Sequence, residues 1–165
     1  MINFREEIRD IAKERRGVKE EEKSGSVIEG TGTEIKEVMS RFYSLTELGV
    51  SIYNESLNDE ELSIYRLPEE LLALFLNIAG RRVGFCLMAP EKIIVFLSEG
   101  PDQVLVLGRK RQQLGTGESI LTKARQLIRI TYTKSEHSIV FKDNTGSILD
   151  PEEVIIHIIK WAVSE

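Results

Sequence analysis

The sequence predicts an α+β domain: an antiparallel sheet of about five strands, a three-strand meander plus a hairpin, packed with helices in the order α-α-βββ-α-ββ-α. Three observations predict it. Apolar runs at 83–88, 92–97 and 103–108 follow one another across gaps of a few residues, whereas a parallel crossover needs about a dozen. Ile128, Ile130 and Tyr132 alternate with Arg129, Thr131 and Thr133, the period of a half-exposed strand. Segments before, between and after these strands repeat their apolar residues at helical spacing.

Taken in order, Phe4, Ile8 and Ile11 give a short amphipathic helix over 3–15, which runs into the charged, glycine-bearing stretch 14–30. That stretch has too little to bury. Residues 1–30 are therefore expected to be a helix and charged flexible linker, an arm dispensable for folding, and 31–165 a single α+β domain. Thr31 and Glu34 form a capping-box pattern. From there Ile35, Val38, Met39, Phe42, Leu45, Gly49 and Ile52 trace one face of a long helix over 33–55. Gly49 in its interior implies a kink or a close helix contact. Asn58 and Glu61 are expected to cap a short turn, and Pro68 opens a further helix over 68–79. In the meander, Ile93-Ile94-Val95-Phe96-Leu97 and Val104-Leu105-Val106-Leu107 are continuous apolar runs. Neighbouring side chains in a strand point to opposite faces, so both faces of the sheet call for burial. A short helix is expected over 118–126, then strands over 128–133 and 137–142. Asp150-Pro151-Glu152-Glu153 is a strong helix start. The helix runs to about 163, with a narrow polar stripe of Glu153, His157, Lys160 and Ser164 and apolar residues elsewhere. Such a helix lies between two apolar surfaces. One chain could cover both sheet faces with the 33–55 helix on one side and the 68–79 and 151–163 helices on the other. Otherwise a second copy must help.

A chain of 165 residues that is 41% hydrophobic and 30% charged is an ordinary globular composition, which excludes a wholly disordered or coiled-coil protein. The single cysteine, Cys86, and an N-terminus of charged residues point to a reducing, cytoplasmic setting, and no apolar run is long enough for a membrane. The net charge of −5 hides an asymmetry: residues 1–80 sum to −7 and residues 81–142 to +6.

Residues able to carry chemistry are few. His157 falls on the solvent stripe, and Ser135, Glu136 and His137 crowd one tight turn, where they are poorly placed to converge on a reacting atom. No zinc or calcium spacing occurs. Cys86 sits in an apolar strand, where a thiol is inert. The loops 24–33 and 115–117 lack the lysine and hydroxyl of a phosphate-binding loop. No catalytic residue, metal site or cofactor is assigned. The surviving signal is basic: Arg81, Arg82, Arg109, Lys110, Arg111 and Arg129, with Lys123 and Arg125 beside the last, expected to share one edge or end of the sheet as an anion site. No aromatic residues interleave with them, which counts against stacking on single-stranded nucleic acid.

The order of elements after residue 66 resembles that of type III secretion chaperones, small acidic homodimers that bind extended segments of secreted partners. The resemblance spans roughly 100 residues and rests on topology; the long helix over 33–55 and the basic sheet depart from the family pattern. A pleckstrin-homology-like domain is similar in ending on a helix that bears a tryptophan, here Trp161, but has about seven strands. Three function classes stay open: a non-catalytic interaction module, homodimeric through Ile155, Ile158 and Trp161 or binding another protein; an anion or nucleic-acid binder; and an enzyme acting through other residues. The first leads.

Overall fold

The computed structural model describes residues 3–16, 35–68, 84–111, 124–136 and 138–165. Its elements are α1 (Phe4–Arg16), α2 (Ile35–Leu57), β1 (Ser63–Leu67), β2 (Gly84–Met88), β3 (Lys92–Glu99), β4 (Gln103–Lys110), β5 (Arg125–Lys134), β6 (Ile139–Lys142), β7 (Ile148–Leu149) and α3 (Pro151–Val163). The strands form a single antiparallel sheet in sequence order. The α+β class and the meander are as expected; among the described residues the sheet has seven strands, not about five. The helix expected over 68–79 lies outside the described residues. So does the start of the helix expected over 118–126, whose last residues are already strand.

The turns follow from local chemistry. Asn58 ends α2 with φ 53°, a conformation asparagine tolerates. The Glu61 carboxylate accepts from the Tyr53 hydroxyl at 2.8 Å. The Asn54 amide accepts from Leu62 N at 3.0 Å and donates to Leu62 O at 2.8 Å, imitating a strand rung and aiming the chain into β1. Gly100, with φ 66°, turns β3 into β4. Asp143 holds the β6–β7 turn by accepting from Thr145 N and Ser147 N, and hydrogen bonding from Thr145 above all holds its carboxyl below the ordinary value.

The core sits on one sheet face. Phe85, Leu87, Ile94, Phe96, Val104, Val106, Ile130 and Phe141 point inward and are buried. Phe85 stacks on Phe96 at 4.4 Å, and Phe42 of α2 meets Phe141 edge-on at 5.3 Å. Both α2 and α3 pack against this same face, so the expected placement of the 33–55 and 151–163 helices on opposite faces does not hold. The opposite face carries a smaller cluster of Cys86, Val95 and Leu97, flanked by Leu67, Met88 and Ile93. Val95 and Leu97 are 2% and 1% exposed while Ile94 and Phe96 are 0%, so the continuous apolar run is buried on both sides, as its pattern requires.

The first helix is a correction. Ile8 and Ala12 are fully buried, and Phe4 and Ile11 nearly so, against α2 and α3. The amphipathic spacing was legible; the burial of its apolar stripe makes α1 part of the core and not an arm. Gly49 is the reason three helices can meet. A Cβ there would lie 2.7 Å from Ile159 Cδ1, 3.4 Å from Phe4 Cζ and 3.6 Å from Ile155 Cγ2. The glycine thus makes the close contact its position implied. α3 carries two apolar stripes: Ile155 and Ile159 face the other helices, while Val154, Ile158 and Trp161 face the sheet.

Candidate functional site

Between β5 and α3 lies a cleft of about 490 Å³, within the roughly 300–1,000 Å³ of binding pockets. Its β5 side is formed by Leu127 and Ile128, and its helix side by Val154, Ile158 and Trp161, with Leu149 of β7 at one end. Two consecutive β5 residues share this side because the β4–β5 register slips between Val106 and Leu107: Val106 faces Ile128 and Leu107 faces Gln126. Leu127 is the extra residue of a bulge, a device that re-aims a side chain. Arg125, Glu153 and His157 stand at the rim and are exposed.

Trp161 shapes the deep end. Its ring lies over Gly108 of β4, where a Cβ would come within 2.7 Å of Cη2 and Cζ3 and 2.8 Å of Leu127 Cδ1. Lys92 lies over the same ring at 4.6 Å and Arg125 at 5.5 Å. The Lys92 ammonium, 5% exposed, donates to Trp161 O and Ser164 O at 2.8 Å and to Ser164 Oγ at 2.7 Å. A cation at the last carbonyls of a helix is favourably placed. Burial, then the neighbouring charges of Lys110 and Arg125, lowers its pKa, against an opposing pull from Glu91. Sequence reasoning missed Lys92 and counted Arg125 only among the basic residues downstream of the third meander strand. The available signal for Lys92 was its phase, two residues before the inward Ile94 in an apolar strand.

The anion residues do not gather as expected. Lys92 registers with Lys110 and Gly108 with Arg125, so Lys110 and Arg125 share one end of the sheet. Arg111 joins them, with its guanidinium on Ala89 O at 3.2 Å. Arg109 is buried, and its Nε donates to Lys110 O at 3.2 Å. Arg129 is elsewhere: it faces Leu105 and is neutralised by Glu99 at 2.9 Å, with Gln103 accepting at 2.8 Å. Arg81, Arg82 and Lys123 lie outside the described residues. The chain joins β2 at Gly84, in line with Leu97 and Leu105, which is the far end of the sheet from Lys110. In an antiparallel meander the first strand starts beside the start of the third, not its end.

Of the residues expected at a self-association surface, Ile155 and Ile158 are buried within the chain, and Trp161 is half-buried at the cleft. Burial pushes the Cys86 thiol up to about 11, which keeps it protonated at neutral pH. His137 lies outside the described residues. Among the described residues no group of His, Cys, Asp and Glu is arranged to hold a metal ion, and no helix is long and apolar enough to cross a membrane.

One further feature concerns the backbone. β5 pairs with β4 along 125–131, but with β6 only along Thr131–Lys134. β6 ends at Lys142, where the Asp143 turn takes the chain away to β7. Among the described residues, 125–130 of β5 therefore have a strand partner on one side only, and that open side borders the cleft. Compared with known proteins, the chain matches no family model, and no curated protein or solved structure matches it.

Proposed function

We propose that this protein is a non-catalytic interaction module that takes up an extended segment of another protein in the cleft between β5 and α3. The open side of β5 along 125–130, beside apolar walls, carries the reading. Strand addition supplies main-chain hydrogen bonds for affinity, and a flanking pocket supplies side-chain selectivity. Six residues of β5 offer about 20 Å of edge. The setting in this reading is the reducing cytoplasm, which a single buried thiol suits. Light scattering on the unmodified protein reads self-association directly, and a dimer there would make a second copy of the chain the donor of the segment.

A second reading, anion or nucleic-acid binding, is favoured by Lys110, Arg111 and Arg125 at one end of the sheet. One experiment separates the two. The protein is screened against a displayed dodecapeptide library, and against heparin, a duplex and a single strand at low salt. Backbone amide shifts are followed in every case. Peptide binding that moves residues 125–130 together with 149–161 is the expected result. Polyanion binding that falls steeply with salt, without any peptide binding, supports the second reading instead.

A further inference from the structure

We infer that the segment bound along β5 runs in the same sense as β6 and sets acidic side chains of its C-terminal part against Arg125 at the Trp161 end of the cleft. This inference rests on the strand-addition reading above and adds to it an orientation and a chemistry.

The orientation comes from the sheet. All six pairings are antiparallel. β6 already occupies the far half of this side of β5, with Lys142 against Thr131 and Ile139 against Lys134. A segment continuing in the lane that β6 leaves, antiparallel to β5, extends the existing hydrogen-bond pattern; a parallel one would begin a weaker, slanted ladder. The antiparallel segment starts beside Thr131 and finishes beside Arg125. Its C-terminal part is thereby delivered to one end of the cleft.

The chemistry comes from the charges at that end. Arg125 is exposed at the rim, with its guanidinium 5.5 Å from the centre of the Trp161 ring. Lys92 shares that ring and Lys110 stands opposite Lys92 in register. The three cations are close enough that Lys110 and Arg125 together disfavour the charge on Lys92, with Glu91 alone among the named groups opposing. Lys92 is spent on the end of α3, which leaves Arg125 and Lys110 facing outward. At the other end stands Glu153, a turn into α3. The cleft is thus apolar along its length, basic at its Trp161 end and acidic near Leu149. Charges arranged this way act on register and partner choice more than on bulk affinity. A segment with apolar residues facing the cleft and Asp or Glu at its C-terminal end matches in both respects.

The test selects C-terminally blocked dodecapeptides from a display library on the full chain and on the Arg125→Glu variant, with Lys110→Glu as a second variant. Arg125 is exposed, so its replacement leaves the core intact; melting curves check this. The wild-type pool should be enriched in Asp and Glu in its C-terminal third, and the Arg125→Glu pool should lose that enrichment. An acidic peptide from the first pool should bind Arg125→Glu about tenfold more weakly, as expected for a charge pair at a partly desolvated rim. Peptides that shift the amides of 125–130 but show no acidic preference, or bind both proteins equally, overturn the inference and leave strand addition standing. Peptides that bind only elsewhere, or none at all, overturn both. Binding of heparin alone assigns the basic end to anions and likewise overturns the inference.

Discussion

Replacing Gly108 with alanine tests the packing on which the cleft depends. Carbon atoms at rest sit about 3.5–4.0 Å apart, and the new methyl would be 2.7 Å from two carbons of the Trp161 ring and 2.8 Å from Leu127 Cδ1. The leucine end can swing aside. The indole cannot, because it is a rigid plane whose own helix carbonyl is held by Lys92. The ring must retreat by about 1 Å. Overpacking of this kind costs about 1–3 kcal/mol, while alanine in place of glycine inside a strand returns about 0.5–1 kcal/mol. The net loss centres on about 1.25 kcal/mol. For a chain of this size each kcal/mol moves the midpoint by roughly 2–4 °C, so Gly108→Ala should melt about 2.5–5 °C lower. Trp161 is the single tryptophan of the chain, so its emission reports the ring directly and should shift to the red. An unchanged or higher midpoint with unshifted emission would refute the close packing of Trp161 on β4.

Two further predictions address the core and the buried lysine. Ile8→Ala removes a fully buried side chain of α1 and should cost about 3 kcal/mol, a fall of roughly 6–12 °C; a midpoint unchanged by this substitution would return α1 to the status of a detached arm. Lys92→Met keeps the apolar stem but removes the ammonium from Ser164 O and leaves Trp161 O with the Ser164 hydroxyl as its remaining side-chain donor, and should cost about 1–3 kcal/mol in thermal or denaturant unfolding. The same variant tests linkage. The folded chain holds Lys92 below its ordinary pKa, so just under that ordinary value the unfolded chain binds the extra proton and stability rises with pH. This alkaline slope should be smaller in Lys92→Met.

The meander was legible because its strands are continuous apolar runs separated by turn residues, a pattern with few alternative readings. β1 was not, because Ser63–Leu67 is a short edge strand with Tyr65 51% exposed and little apolar signal. β7 is two residues long and below any periodicity. The start of β5 was misread for a physical reason: the bulge puts Leu127 and Ile128 on one side, which breaks the alternation that reveals a strand. The two stripes of α3 were readable from composition alone, yet their partners were not, since Ile155 meets a glycine on α2 and Trp161 a glycine on β4. A glycine announces that something approaches closely; it does not say what. The basic residues were legible as charges, but their grouping depends on register, and Arg129 shows that a residue of the right type can face its own acid at the wrong end.

The departures from regular sheet and helix rules are not scattered. A glycine inside β4, a bulge in β5, a lysine buried under the end of a helix and a half-buried tryptophan all meet at the Trp161 end of the cleft. Sequences follow local rules where stability alone is selected, and depart from them where a site is built. The sheet edges make the same point. Edges left open invite pairing, and proteins blunt them by shortness or charge. The outer strands comply: β7 is two residues long, and β1 carries Arg66, whose guanidinium lies over Tyr43 at 4.0 Å. The half of β5 left open among the described residues instead presents Leu127 and Ile128 to an apolar cleft, with its exposed cation, Arg125, at one end only. A charge at the end of an edge does not prevent a strand from adding; it selects which strand adds and in which direction.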